Sequence, residues 1–500
     1  MSEAYLGIDI GTSGCKASVF DAQGQPLALA RREYDPRFTA DGGAELDSDE
    51  VMAQCLAVIG EAAAQAAPAR IVALGVSSQG EAFTALGRDG RALCRAMISS
   101  DVRAASYATE WSRQFGADRL YRITGHTAHP MFSLFKLLWL RDHLPDVWAQ
   151  TWKFLCFEDL LHHRLGLDPA MGWPLAARTM LFDVRGHGWS GEVLAAAGLS
   201  AAQLARPLPS GQIAGAVDEA LAARLGLAPG AVVVAGGHDQ PCAALGAGAS
   251  EPGIAMYATG TVECITPAFA APVFTEDLRR SNLCTYDHAA PGRYTTVAFS
   301  LTGGNILKWF RDEFGSAEVA QAAAQGVSAY ELLLRAAAPE PTRLMVLPYF
   351  TPSGTPYFDT ATRGAILGLQ LTTTRGEVLR ALLEGVAFEM RLNLAILERS
   401  GCRITELRAV GGGARSRFWT QLKADVLGKP ITTLDITEAG CLGVALLACA
   451  AHTGTPAGNL VARWIRPGAT VAPQPAAAAW YAERFAAYQR LYPALRQISP

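Results

Sequence analysis

Several familiar signatures are missing from this 500-residue chain. Positive charge is not in excess. Lys and Arg number 43 against 46 Asp and Glu, a formal net charge of −3, so the electrostatic footprint of a nucleic-acid binder is missing. Ten cysteines are scattered as singles with no C-x-x-C pair, which removes the usual zinc and thioredoxin-like patterns. A disulfide scaffold is not expected at this length; reduced thiols in a cytoplasm are. The opening "MSEAYLGIDIG" has no basic segment and too short an apolar run for a signal peptide. The stretch "GCLGVALLACAAHTG" falls short of the ~20 residues of a membrane span and reads as a buried helix. Neither G-x-x-x-x-G-K-[ST], nor H-E-x-x-H, nor a G-x-G-x-x-G opening a βαβ unit occurs. P-loop, zincin and dinucleotide chemistries lose their markers. The expected partners are small molecules, with no nucleic acid and no membrane.

Half of the residues are hydrophobic and 18% are charged, enough apolar material for more than one core. Two domains are the natural division of 500 residues. Strand-like runs, "YLGIDIG", "KASVFD", "IVALGVSS" and "AVVVAGG", alternate with alanine-rich helical stretches, which predicts an α/β fold with helices packed on sheets. The turn-rich "GAGASEPG" sets the boundary, dividing the chain into residues 1–247 and 248–500. An internal echo links the halves. "YLGIDIGTSGCKASVFD" resembles "GIAMYATGTVECITPAF", and "RIVALGVSSQGEA" resembles "ELRAVGGGARSRF". Two similar halves facing one cleft are expected. The tail "AAAAWYAERFAAYQRLYPAL" carries Trp480, Phe485 and Tyr488 at helical spacing and predicts a helix docked on the body. His162 and His163 read as a surface or packing pair in a helix.

The chemistry concentrates in a few turns. In "DIGTSG", Gly11 and Gly14 let the backbone approach a ligand closely, and the N–H groups and hydroxyls of Thr12 and Ser13 can donate to phosphate. Lys16 adds positive charge, and Asp9 can hold Mg²⁺ through water. The plain alternative is an ordinary hairpin turn. A second Gly-Thr turn, Gly260-Thr261, sits in the other half, so two hairpins can converge on one polyphosphate. "AVVVAGGHDQPCAALGAG" presents His238, Asp239 and Gln240 where a buried strand gives way to a helix. Asp239 is there either a proton acceptor for an attacking hydroxyl or a helix cap. Gln79, Glu81, Asp101 and Arg103 are candidate grips for sugar hydroxyls, or surface-loop charges. Gly412, Gly413 and Ala414 offer a flat backbone to an adenine, and Gly303-Gly304 precedes another helix; small-residue packing explains both equally well.

In this order the pieces resemble the FGGY family of carbohydrate kinases, xylulokinases above all, from about residue 5 to about 455. The markers are "GIDIGTSGCKASVFD", "GGHDQPCAALGAG", "YATGTVE", "LPYFTPSGTPYFDTATRGAILGL" and "AVGGGARSRFWTQLKADVLGKPI". The resemblance implies two ribonuclease-H-like domains of the actin and hexokinase type flanking a nucleotide cleft, with ATP and Mg²⁺ as cofactors. It implies Asp239 as catalytic base. Gly11, Thr12, Ser13 and Lys16 match the first phosphate loop; Gly260 and Thr261 match the second. Gly304, Lys308, Gly412, Gly413 and Ser416 lie near the nucleotide. Gln79, Gly80, Glu81, Asp101, Arg103, His238 and Gln240 fall on the sugar side, with Asp9 and Asp239 at the metal. Homodimerisation is expected from the same source. Xylulokinases commonly carry Gln-Met-His-Gly where this chain has Gln79-Gly80-Glu81-Ala82; glycerol kinases carry Gln-Arg-Glu. Ser99 replaces a frequent tryptophan. The expected acceptor is a ketopentose such as xylulose. The alternatives are ribulose, a sugar acid, erythritol or glycerol, and, from another class, a non-kinase actin-like ATPase.

Overall fold

Alternating apolar residues broken by glycine turns build the first sheet. In the computed structural model, which describes residues 2–436 and 438–497, β1 (Glu3–Ile10) and β2 (Gly14–Asp21) form an antiparallel hairpin that pairs Asp9 with Lys16. β3 (Pro26–Glu33) follows antiparallel. α1 (Ser48–Ala66), capped by the Asp47 carboxylate, covers the sheet with Val51, Met52, Cys55, Val58 and Ile59. β4 (Arg70–Ser78) then returns parallel to β1. After the short helix α2 (Trp173–Ala177) come β5 (Ile213–Ala216) and β6 (Val232–His238). The order is β5-β6-β4-β1-β2-β3, with β6 parallel to β4. α3 (Asp239–Gly246) leaves the end of β6.

The second half repeats the plan. β7 (Ile254–Thr259) and β8 (Glu263–Phe269) form a hairpin, and the short strands β9 (Tyr286–Asp287), β10 (Tyr294–Thr295) and β11 (Ala298–Ser300) extend its β8 side. α4 (Gly304–Phe314) and the long α5 (Arg375–Arg399) precede β12 (Glu406–Val410), which runs parallel to β7. α6 (Arg417–Leu427) leads to β13 (Ile431–Leu434), parallel to β12, and β14 (Pro467–Val471) closes the edge. Strand for strand, β7, β8, β12 and β13 mirror β1, β2, β4 and β6. The sequence echo is therefore structural.

α7 (Ala439–Thr453) is apolar all round and buried along Ala439–Cys449, as "GCLGVALLACAAHTG" predicts. It follows β13 but lies against β1 and β4, in a cluster that joins Tyr5, Phe20 and Val72 to Leu442, Leu446 and Trp464. Glycine permits this approach. A Cβ on Gly7 would stand 1.8 Å from the Cys441 carbonyl oxygen, and one on Gly443 would stand 2.0 Å from that of Cys242 in α3. α8 (Pro475–Tyr488) docks Tyr481 and Tyr488 on the second core, as its spacing predicts. Among the described residues no helix is long and apolar enough to cross a membrane. All ten cysteines are free thiols.

Candidate active site

The carboxyl ends of β1, β4 and β6 lie side by side and bring Asp9, Ser77 and His238-Asp239 to one edge. Ser77 donates its hydroxyl to Asp9 Oδ1 at 2.7 Å. Burial, and next the charge of Asp239, pushes the Asp9 carboxyl up to about 6. A carboxyl held up by burial and by a neighbouring carboxylate marks a place for a cation. Mg²⁺ keeps several waters and takes only one or two carboxylates, so Asp9 and Asp239 fit it. No cluster of three or more ligating side chains exists among the described residues.

Asp239 opens α3 without capping it. His238 is the N-cap, and no side chain accepts from the helix's first amides. The Asp239 Oδ1 instead faces His238 Nε2 at 3.0 Å, and Nδ1 of that ring meets the Tyr286 hydroxyl at 2.9 Å. Tyr286 is fully buried in β9 of the second half, so a relay across the halves orients Asp239. The side chain of Asp239 remains 32% exposed. Beside it, Gln240 Oε1 is buried and has no hydrogen-bond partner among the described residues. A buried orphan acceptor next to a reachable carboxylate is the arrangement that a ligand hydroxyl completes.

The two hairpin turns carry little side-chain bulk. Gly11, Thr12 and Ser13 join β1 to β2, closed by the Gly11 amide on the Gly14 carbonyl at 2.9 Å. Thr12 donates to Gln79 Oε1 at 3.1 Å, and Gln79 Nε2 donates to the Gly11 carbonyl at 3.0 Å. Gln79 thus braces this hairpin. Lys16 pairs with Glu438, the residue before α7, at 2.7 Å. In the second turn Gly260 and Thr261 are exposed, and α4 donates to them: Gly304 N–H to Gly260 O at 2.8 Å and Asn305 N–H to Thr261 O at 3.2 Å. A Cβ on Gly304 would sit 2.7 Å from Gly260 O, and one on Gly413 would sit 3.1 Å from Thr259 O. The glycine turns at 303–304 and 411–413 therefore flank one hairpin. Lys308 is exposed one turn into α4, and Ser416 caps α6 by accepting from the Trp419 amide at 3.2 Å.

The sugar-side candidates separate into two groups. Gly80 and Glu81 lie beside His238: a Cβ on Gly80 would stand 3.0 Å from His238 Cδ2. Glu81 is buried and holds a φ of +66°, a strained conformation for a side-chain-bearing residue that persists only where its surroundings fix it. Its carboxylate pairs with Arg178 and its carbonyl accepts from Ser133 Oγ at 2.7 Å. Asp101 and Arg103 form a second group. Asp101 is fully buried, Arg103 Nη2 reaches it at 2.6 Å and Glu45 Oε1 at 2.8 Å, and the guanidinium lies 4.5 Å from the Trp139 ring centre. Arg103 is thus paired with two carboxylates inside the first half. Sequence reasoning missed Ser77, Arg178, Tyr286 and Glu438. Ser77 had a signal, a strand-end hydroxyl within "VSSQG"; the other three lie outside any motif.

Two sheets of one topology, each presenting a glycine hairpin, with Asp239 opening a helix at the edge of the first, define the ribonuclease-H-like class of actin and hexokinase. Family comparison narrows the class. The model of the "FGGY family of carbohydrate kinases, N-terminal domain" matches residues 4–246, and that of the C-terminal domain matches residues 255–452. The chain belongs to the FGGY family of carbohydrate kinases and is a sugar kinase. A glycerol kinase of Methylibium petroleiphilum is 32% identical over 482 residues, covering 92% of this chain and 93% of the relative. A gluconokinase of Bacillus subtilis is 26% identical, covering 89% and 87%. The crystal structure of a "xyloylose kinase" from Brucella ovis superposes with a TM-score of 0.89 at 30% identity, covering 99% of this chain and all of the other. Relatives named for three acceptors stand at similar identities. Kinship carries the reaction class and does not single out an acceptor.

Proposed function

We propose that this kinase transfers the γ-phosphoryl group of ATP to a primary hydroxyl of a sugar or polyol, a ketopentose such as xylulose being the first candidate. The observation that carries this is Asp239: it begins a helix without capping it, is oriented by His238, and shares its edge with the first glycine hairpin. Asp239 takes the proton of the acceptor hydroxyl as that oxygen bonds to the γ-phosphorus and the bond to the β-phosphate oxygen breaks, releasing ADP. The amides of Gly11, Thr12 and Ser13, with Lys16, face the phosphates from one side; Gly260 and Thr261 face them from the other. Asp9 and Asp239 hold Mg²⁺, which when bound supplies charge neutralisation for the phosphates. The nucleotide base lies near Gly304, Lys308, Gly412, Gly413 and Ser416. Gln240, with its orphan Oε1, accepts from the acceptor's hydroxyls, and Glu81 lies on the same side.

Asp239→Asn keeps shape and removes the base. Turnover with the best acceptor falls by about 10²–10⁴-fold, the usual span for a lost general base, while ATP binding by calorimetry persists. Turnover close to that of the native protein would remove Asp239 from this role. A coupled ADP-release screen across polyols, ketoses and sugar acids identifies the acceptor. Full-rate ATP hydrolysis without any of them would point to an ATPase instead.

A further inference from the structure

Beside Asp239 lies a buried charge pair whose composition narrows the acceptor; the argument rests on the phosphotransferase reading above. Arg178 follows α2 and is 6% exposed. Its Nε donates to Glu81 Oε1 at 2.5 Å, Nη2 pairs with the same carboxylate, and Nη1 lies 4.0 Å from Cys284 Sγ. The guanidinium stands 4.9 Å from the Phe132 ring centre and 5.8 Å from that of Tyr286, the residue that holds His238. Arg178 is thus two side chains away from Asp239. A Cβ on Gly80 would be 3.0 Å from His238 and 3.5 Å from the Arg178 Cβ, so a side chain at position 80 would need the His238 ring to give by a few tenths of an ångström. Arg178 also lines a small pocket at the seam between the halves, with His126 and Phe132 from the first half and Asn282 and Phe299 from the second.

We propose that Arg178 and Glu81 together read adjacent hydroxyls of the acceptor and select neutral polyols and ketoses against sugar acids. A guanidinium offers five N–H donors in a fixed fork, and Glu81 uses only part of it. Glu81 Oε2 accepts no hydrogen bond among the described residues. A free acceptor beside free donors complements hydroxyls, each of which both gives and takes. Among the described residues, the buried cations around Glu81 already have partners, so an acceptor carboxylate finds no uncommitted one there. Arg178 is matched by Glu81, Arg103 by Asp101 and Glu45, and buried Lys136 is committed to the Met97 and Ile98 carbonyls near Glu81 and Asp101. Asp9 and Asp239 add like charge, and like charges brought together in a site that excludes water repel strongly.

The test compares acceptors of equal chain length, xylulose and xylitol against xylonate, and erythritol against erythronate, by coupled ADP release at saturating ATP. The native protein should favour the better neutral member of each set by at least about 100-fold in kcat/KM, the scale of one desolvated charge mismatch. Arg178→Lys keeps the charge but not the fork, and should lower kcat/KM for the best neutral acceptor by about 10-fold or more with KM for ATP unchanged. Glu81→Gln should narrow the gap between neutral and acidic acceptors. If Arg178→Lys melts early, the double variant Arg178→Met/Glu81→Met, which leaves no unpaired charge, takes its place and should lose the neutral preference. A native protein that turns over a sugar acid as well as its neutral counterpart overturns the inference and leaves the kinase reading standing. So does an Arg178→Lys variant of native kcat/KM. No acceptor-stimulated ADP release from any compound overturns both.

Discussion

Behind the second glycine hairpin lies a buried ion pair whose removal separates structural support from chemistry. Glu263, the first residue of β8, and Lys423 of α6 are 0% and 2% exposed, with Nζ 2.5 Å from Oε1. The Tyr257 hydroxyl donates to the other Glu263 oxygen, and the ammonium lies 4.1 Å from the Trp419 ring centre. Burial pulls the Lys423 ammonium below its ordinary range, and Glu263 opposes that. Lys423→Met leaves a carboxylate in the core without its cation, and breaking such a pair on one side costs about 3–5 kcal/mol. At about 2–4 °C per kcal/mol for a domain of this size, the second half should melt about 6–20 °C lower. The triple variant Lys423→Met/Glu263→Leu/Tyr257→Phe removes every polar partner at once. Well-packed apolar replacement of a buried pair is often neutral or stabilising by about 1–4 kcal/mol, so the triple should regain most of the lost melting temperature. Calorimetric melts read stability. KM for ATP reads the hairpin, and should rise in the single variant and return in the triple. A single variant melting within about 2 °C of the native protein, or a triple no better than the single, would refute the account of a pair held by mutual compensation.

Two further outcomes follow from the same kind of contact. Gly7→Ala places a methyl 1.8 Å from the Cys441 carbonyl and must push α7 off β1, a backbone overpacking that should cost about 3 kcal/mol and lower the melting temperature. Glu389 of α5, 1% exposed, accepts from Tyr349 at 2.8 Å and from Tyr488 of α8 at 2.5 Å; burial pushes its carboxyl from 4.5 up to about 7. The native state therefore holds a proton that the unfolded chain has released. This contribution is full below pH 4.5 and is lost as pH rises through about 7. It amounts to about 3 kcal/mol, and Glu389→Gln should flatten that part of the stability–pH curve measured by denaturant melts.

The fold was legible where its causes are local. A strand, a Gly-Thr turn and a second strand need only neighbouring residues, so both hairpins and the repeat between the halves could be read directly. The apolar α7 and the aromatic spacing of α8 were legible for the same reason. The His162-His163 pair splits between the two expectations: His162 is fully buried, and His163 keeps partial exposure. What the pattern did not carry was α7's destination. Its apolar surface specifies burial but not against which sheet; glycines at 7 and 75 acquire meaning only once the helix lies on β1 and β4, and Gly443 only once it lies on α3.

At the site, residue types were readable and partners were not. Asp239 was divided between base and cap, and only the position of His238 at the helix start decides that it does not cap. Gln79 was read as a sugar-side residue because a strand-end amide suits hydroxyls; the partners of its amide, Gly11 and Thr12, lie 68 and 67 positions away in sequence. The pairs that organise the site, Lys16 with Glu438, Glu81 with Arg178 and His238 with Tyr286, are 422, 97 and 48 positions apart. No local periodicity encodes such separations. The charge of a buried arginine is also uninformative on its own, because its effect depends on which carboxylate cancels it. Arg178 is the clearest instance: nothing in "AARTM" marks it, yet Glu81 makes it half of a neutral pair close to His238. On the proposed reading, acceptor choice rests on long-range pairing around a hairpin scaffold, which is why a sequence at similar identity to glycerol, gluconate and xylulose kinases does not declare its alcohol through any local motif.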